Sequence, residues 1–181
     1  MLGRYTGKLA VLYENEGDLQ PFQQLAEQLS VPLRNSLAAN FYQQEAFFLT
    51  WREGCLKLLD HSLLKKGGLM VEIEPRPGEQ RSWPAPKDGA LAQALGRKTR
   101  TVIDATTGWG QDSLHIFRMG YELSCIERSP VMAALLADGF QRLAKLAWMQ
   151  SLQKQPPLLR HGDAINLLIN WQEKPDRKSV V

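Results

Sequence analysis

Apolar and polar positions change period several times along this chain, and each change marks an element. Lys8 to Tyr13 (KLAVLY) is an apolar run of strand length. From Asp18 to Leu29, Phe22, Leu25, Ala26 and Leu29 recur at helical spacing. Pro21 falls in the first turn of that helix, where its missing N–H has no partner to lose. Phe47 to Trp51 and Cys55 to Leu59 are apolar runs split by Arg52-Glu53-Gly54, which predicts a hairpin. Leu69 to Ile73 predicts a further strand. These pieces make a small α+β module over residues 1–75. Phe47, Phe48 and Trp51 are read as its core, because exposed aromatic clusters are uncommon.

Glu74 to Asp88 carries Pro75, Pro77, Pro84 and Pro86 with Gly78. So many prolines predict an extended linker, and Arg76, Arg81 and Lys87 read as its solvated charge. Asp88 to Leu95 is a lead-in helix closed by Gly96, so linker and helix occupy residues 76–100. Arg97, Lys98 and Arg100 follow, where cations suit the negative end of a helix.

From residue 101 strands and helices alternate. Thr101 to Ala105 reads as a strand, Gln111 to Met119 as a helix stopped by Gly120, and Tyr121 to Ile126 as a second strand. Ser129 is an N-cap residue with Pro130 at the first helical position. That helix is predicted to run to Met149, with Val131, Leu135, Phe140, Leu143 and Leu146 among its apolar positions. Leu158 to Arg160 is a third strand, and Asp163 precedes a helix over Ala164 to Asn170. Ser179-Val180-Val181 reads as the first residues of a fourth. The alternation is that of an α/β parallel sheet. Open sheets of this kind have about five or more strands, so residues 101–181 are expected to be the N-terminal half of a domain whose C-terminal half is missing.

The chemistry concentrates at Val102-Ile103-Asp104-Ala105-Thr106-Thr107-Gly108-Trp109-Gly110-Gln111-Asp112. A strand ends in an acid, a turn holds two glycines, and a helix begins. A second acid, Glu127, closes the next apolar run. A bare Gly-x-Gly turn joins many strands to many helices. The acids Asp104, Asp112 and Glu127 turn it into a ligand pattern: glycines admit close backbone approach, and Glu127 can accept from ribose hydroxyls. The turn has the form DxxxGxGxD, not the GxGxxG of dinucleotide enzymes. Asp104 before the glycines suits a ligand with an ammonium group, such as S-adenosylmethionine, and repels a pyrophosphate. Asp163 suits either of two roles, a cap for the helix it precedes or an acceptor for an adenine amino group.

A composition of 44% hydrophobic and 23% charged residues is that of an ordinary globular protein. The net charge of +3 permits a nucleic-acid partner without arguing for one. Cys55 and Cys125 sit in apolar runs, which favours buried thiols over a disulfide or a metal site. His61, His115 and His161 form no metal-ligand pattern. Met1 to Gly17 lacks the apolar core of a signal peptide, and no run has the length of a membrane span. A cytoplasmic protein without membrane or metal is expected.

Asp104-Ala105-Thr106-Thr107-Gly108-Trp109-Gly110-Gln111-Asp112 and Ile126-Glu127-Arg128-Ser129-Pro130-Val131-Met132-Ala133-Ala134-Leu135-Leu136-Ala137-Asp138-Gly139 resemble two motifs of the ribosomal RNA small subunit methyltransferase J family. The family's first is DATAGLGRD-like, its second ERNPVVAALLxDGL-like. The resemblance covers most of the chain and is strongest from Thr101 to Leu143. It implies a Rossmann-like class I methyltransferase sheet. It also implies methyl transfer from S-adenosylmethionine to N2 of a guanine in small-subunit (16S) rRNA, with that rRNA or the small ribosomal subunit as partner. Carried over by motif, Gln111 and Asp112 belong to the cofactor turn with Gly108 and Gly110. Glu127 and Arg128 match the ribose-binding pair, and Asp163 and Ala164 fall on the adenine side.

Two departures stand out. The family's basic, glycine-rich RRKFGGG-like segment corresponds here to the proline-rich Arg76 to Asp88. Its DPMFP-like motif, which holds the target base, is expected beyond Val181. Catalytic residues are therefore expected there, and residues 1–181 alone are expected to transfer little or no methyl. Two other readings of the same turn are a nicotinamide-dependent oxidoreductase and a non-catalytic protein that keeps the fold. Glu127 suits the first of these, while Asp104 and the missing third glycine oppose it.

Overall fold

Leu9–Tyr13 forms β1, the centre of a first sheet whose residues Ala10 and Leu12 are fully buried. The structure is a computed structural model describing residues 8–14, 17–36, 45–60, 67–74, 83–96 and 98–171. It divides into two units, Met1–Met70 and Val71–Val181. In the first unit, α1 (Gln20–Leu29) buries all four of its periodic apolar residues, Phe22, Leu25, Ala26 and Leu29. Strand β2 (Leu33–Asn35) runs parallel to β1, with Val11 opposite Leu33. At three residues it leaves no apolar signature in the sequence. The predicted hairpin is present as β3 (Phe47–Arg52) and β4 (Cys55–Asp60). Its turn residues Glu53 and Gly54 both have positive φ, 54° and 73°, as a twisted two-residue turn requires. Strand β3 is parallel to β1, giving the order β2-β1-β3-β4.

Not all the aromatics of β3 are core. Phe48 is fully buried beside Leu59, whereas Phe47 is exposed and Trp51 is half-buried against Phe22. The two-residue period of a strand sends adjacent side chains to opposite faces.

The second unit opens with helix α2 (Gly89–Leu95). Its C-terminus is closed by the Gly96 amide on Ala92 O and the Thr99 hydroxyl on Leu95 O at 2.5 Å. Then β5 (Thr101–Asp104), α3 (Gln111–Arg118) and β6 (Glu122–Glu127) follow as the alternation predicts. After α4 (Pro130–Ala144) and α5 (Ala147–Ser151) come β7 (Leu158–His161) and α6 (Ala164–Ile169). The Ser129 hydroxyl accepts from Met132 N and Pro130 begins the helix, as predicted. The sheet order is β5-β6-β7 with every pairing parallel.

Two sequence expectations fail here. The single helix predicted to Met149 breaks at Leu146, whose backbone is extended (φ −65°, ψ 137°). No glycine or proline announces the break. It lets Met149 bury and sets Trp148 against Trp83 with ring centroids 5.0 Å apart. The strand predicted over Leu69 to Ile73 shrinks to one bridge, Leu69 with Leu58 of β4. Val71 and Ile73 are buried, but their carbonyls accept from Arg142 Nη2 at 2.8 Å and Arg118 Nη2 at 2.7 Å. Guanidinium groups take the place of a neighbouring strand. Arg76, Arg81, Arg97, His61 and the expected fourth strand at Ser179 lie outside the described residues.

Candidate functional site

Asp104, the last residue of β5, is only 5% exposed, and its carboxylate ties three elements together. One oxygen accepts from the Thr106 amide at 3.0 Å and the other from the Ser113 hydroxyl of α3. The Thr107 amide donates to Ile126 O of β6, and the Gly110 amide to Thr107 O. A buried carboxylate is costly unless hydrogen-bonded, and here its partners fold the turn. Gly108 and Gly110 take left-handed φ values of 53° and 73°, a region that L side chains enter at a cost. Their surroundings differ. A Cβ on Gly110 would stand 2.8 Å from Leu136 Cδ2 of α4, while one on Gly108 would meet nothing nearer than Thr106 O at 3.8 Å. Gly110 therefore answers to helix packing as well as to the turn.

Glu127 ends β6 half-buried. Its Oε2 accepts from the Gly108 amide at 3.0 Å and its Oε1 from the Ser129 amide at 2.6 Å. An ionised carboxylate offers about four acceptor positions, so these amides leave about half of them. Arg128 is exposed, and its carbonyl faces His161 Nε2 at 3.3 Å. The Gly162 amide donates to Glu127 O, continuing the register that sets Glu127 opposite His161. Asp163 Oδ1 accepts from Asn166 N at 3.2 Å, so the capping role is realised, and Ala164 begins α6. Asp104 and Glu127 thus end their strands, and Asp163 follows β7 by two residues, all at the carboxyl edge of one parallel sheet.

A cavity of about 300 Å³ opens at the turn, lined by Asp104, Thr106, Thr107, Trp109, Gln111 and Asp112. Three predicted site residues, Asp104, Gln111 and Asp112, share its wall. Glu127, Arg128, Asp163 and Ala164 lie along the ends of β6 and β7 outside that lining, and Glu127 is tied to the same turn through the Gly108 amide. Trp109, Thr106 and Thr107 were not singled out from the sequence. An aromatic between two glycines of a polar turn is the signal that marks Trp109. A larger cavity of about 440 Å³, lined by Tyr121, Glu122, Lys154 and Leu158 among others, sits at the amino ends of the strands and holds none of these residues.

Cys125, opposite Asp104 in the sheet, is fully buried, and burial pushes its thiol up to about 12. It stays protonated and unreactive at neutral pH. Among the described residues no group of three or more His, Cys, Asp or Glu is placed to hold a metal ion, and no helix is long and apolar enough to cross a membrane.

Residues 32–180 match the family model described as "Putative SAM-dependent methyltransferase". The ribosomal RNA small subunit methyltransferase J of Tolumonas auensis is 32% identical over 169 residues, covering 87% of this chain and 67% of that protein. The chain belongs to the ribosomal RNA small subunit methyltransferase J family. The family member of Shewanella amazonensis is 34% identical over 134 residues, 72% of this chain and 54% of its own length. That of Legionella pneumophila is 32% identical over 91% of this chain and 62% of its own length. The chain therefore spans about half to two thirds of these relatives. A crystal structure of a SAM-dependent methyltransferase from Neisseria gonorrhoeae shares the fold, with a TM-score of 0.61 and 21% identity over 92% of this chain and 66% of that one. Family membership leaves the nicotinamide reading of the turn without support, and S-adenosylmethionine is the cofactor of this methyltransferase family.

Proposed function

We propose that the residues at this sheet edge bind S-adenosylmethionine, and that the full-length protein methylates N2 of a guanine in small-subunit rRNA. The observation that carries the reading is the alignment of Asp104, Glu127 and Asp163 at the carboxyl edge of three parallel strands, beside a turn held open by left-handed glycines. Open α/β sheets bind their ligands at that edge.

The residues fit the donor's chemistry. Asp104 and Asp112 give the cavity two carboxylates, the complement of an ammonium group. Glu127 keeps acceptor positions for ribose hydroxyls after serving the Gly108 and Ser129 amides, with Arg128 beside it. Asp163, one oxygen engaged by its own helix, and Ala164 take the adenine side. Gly108, Gly110 and Gln111 shape the turn around the methionine end. When bound, the cofactor supplies a methyl group on positively charged sulfur, already activated for transfer. The chain's own contribution is position and exclusion of water. The rRNA, free or within the small subunit, is the partner, which places the protein in the cytoplasm.

The test is incubation of the full-length protein with labelled S-adenosylmethionine and small-subunit rRNA lacking the modification, followed by nuclease digestion and mass analysis. N2-methylguanosine is expected. Labelling of a different atom removes the guanine assignment, and absence of S-adenosylhomocysteine binding by calorimetry removes the cofactor assignment.

A further inference from the structure

Four of the five tryptophans in the chain have an aromatic or cationic partner. Trp51 meets Phe22, Trp83 meets Phe117 and Trp148, and Trp171 lies under Arg160 at 4.1 Å. Trp109 has no such contact among the described residues and is 38% exposed. It stands in a turn of small and polar residues, between Gly108 and Gly110, which both take left-handed φ. Its neighbours on the cavity wall are Asp104, Asp112, Gln111, Thr106 and Thr107. A large apolar ring held at the mouth of a cavity with two carboxylates suits a cation that also carries hydrocarbon.

We propose that Trp109 is a cofactor-contacting residue whose indole face packs against the sulfonium of S-adenosylmethionine. This rests on the cofactor assignment above. The cofactor carries two positive centres with different needs. Its ammonium has N–H donors, which the Asp104 and Asp112 carboxylates accept. Its sulfonium has charge and no N–H, so no hydrogen-bond acceptor completes it. The electron-rich face of an indole does, through the attraction of a cation to the ring quadrupole. Trp109 is the aromatic side chain on the wall of this cavity. The contact is selective for the methyl donor, because the product S-adenosylhomocysteine keeps the ammonium, ribose and adenine but has a neutral sulfur.

Calorimetry on the full-length protein tests this with both ligands against wild type, W109F and W109L. W109L is expected to lose roughly three- to tenfold in affinity for S-adenosylmethionine and no more than about twofold for S-adenosylhomocysteine. W109F, which keeps a π face, stays within about twofold of wild type for both. S-adenosylmethionine is expected to shift the tryptophan emission of wild type more than that of W109F, a readout that survives if W109L folds poorly. Equal losses for both ligands overturn the sulfonium contact. Unchanged cofactor affinity with a raised KM for rRNA also overturns it and assigns the ring to the target base. If wild type binds neither ligand, the cofactor assignment itself fails and this proposal falls with it.

Discussion

The Glu127 carboxylate accepts from the Gly108 amide at 3.0 Å, so the end of β6 holds the turn that follows its neighbour β5. The same side chain receives the Ser129 amide at the entry to α4. One residue therefore organises two loops at the sheet edge and keeps acceptor positions beyond those two amides.

That double duty predicts a double loss. Hydrogen bonds to a charged acceptor contribute about 1.5–3 kcal/mol each, and half-exposure puts these at the low end. Glu127→Ala is expected to lower Tm by roughly 4–8 °C and to weaken S-adenosylhomocysteine binding by about tenfold or more. Glu127→Gln keeps a carbonyl acceptor for one amide and is expected to fall between. Differential scanning fluorimetry and calorimetry separate the two effects. An unchanged affinity in a folded E127A protein removes Glu127 from ribose binding.

The two glycines of the turn are expected to differ. Both pay the left-handed penalty when substituted, about 1–2 kcal/mol. Only Gly110 adds a collision, since its Cβ would stand 2.8 Å from Leu136 Cδ2. Gly110→Ala should therefore lower Tm more than Gly108→Ala, and Gly110→Val should disturb the packing of α4 as well as any ligand. Equal Tm losses for the two alanine variants would mean that Leu136 moves aside without cost.

Much of the local structure of the candidate site was legible because its signals are local. A strand of Val102 and Ile103, an acid, two glycines, then Ser129 and Pro130 each act through neighbours within a few residues. The rest depends on partners distant in sequence. Nothing near Leu146 says that the helix should break there; the gain is burial of Met149 and contact of Trp148 with Trp83. Nothing near Ile73 says that its carbonyl will meet Arg118 instead of a strand. At Gly110 the motif gave the residue, and only the position of Leu136 shows why packing requires it as well.

The buried acids of the second unit predict an alkaline limit. Burial pushes the Cys125 thiol up to about 12 and also raises the Tyr121 phenol. A raised pKa in the folded state means that folding favours the neutral form. Its stabilisation is complete below the pKa of the unfolded chain and is lost as pH rises through the folded value. Tm is thus expected to hold to about pH 8.5 and to fall from there towards pH 12. Cys125→Ala should flatten the first part of that fall, from about pH 9 upward. At neutral pH a thiol reagent should label half-buried Cys55 and spare Cys125 until the protein unfolds. Rapid labelling of Cys125 in the native protein would contradict its burial.

Gly139 explains the glycine in the second motif. A Cβ at this position of α4 would lie 2.7 Å from Val71 Cγ1 and 2.9 Å from Val71 Cβ. Val71 cannot step away easily, because Arg142 Nη2, three residues along the same helix, holds its carbonyl at 2.8 Å. The side chain is fully buried, so added volume has no outlet to solvent. Overpacking of this kind costs about 1–3 kcal/mol, and Gly139→Ala is expected to lower Tm by roughly 3–10 °C. The better helix propensity of alanine offsets about 1 kcal/mol of that at most. Residues in contact do not contribute additively. Pairing Gly139→Ala with Val71→Ala should therefore destabilise by less than the sum of the two single changes, since the second removes the Cγ1 methyl at 2.7 Å and leaves only the Cβ contact at 2.9 Å. A double-mutant cycle in urea measures the coupling directly. Strict additivity would show that the two side chains do not compete for the same space.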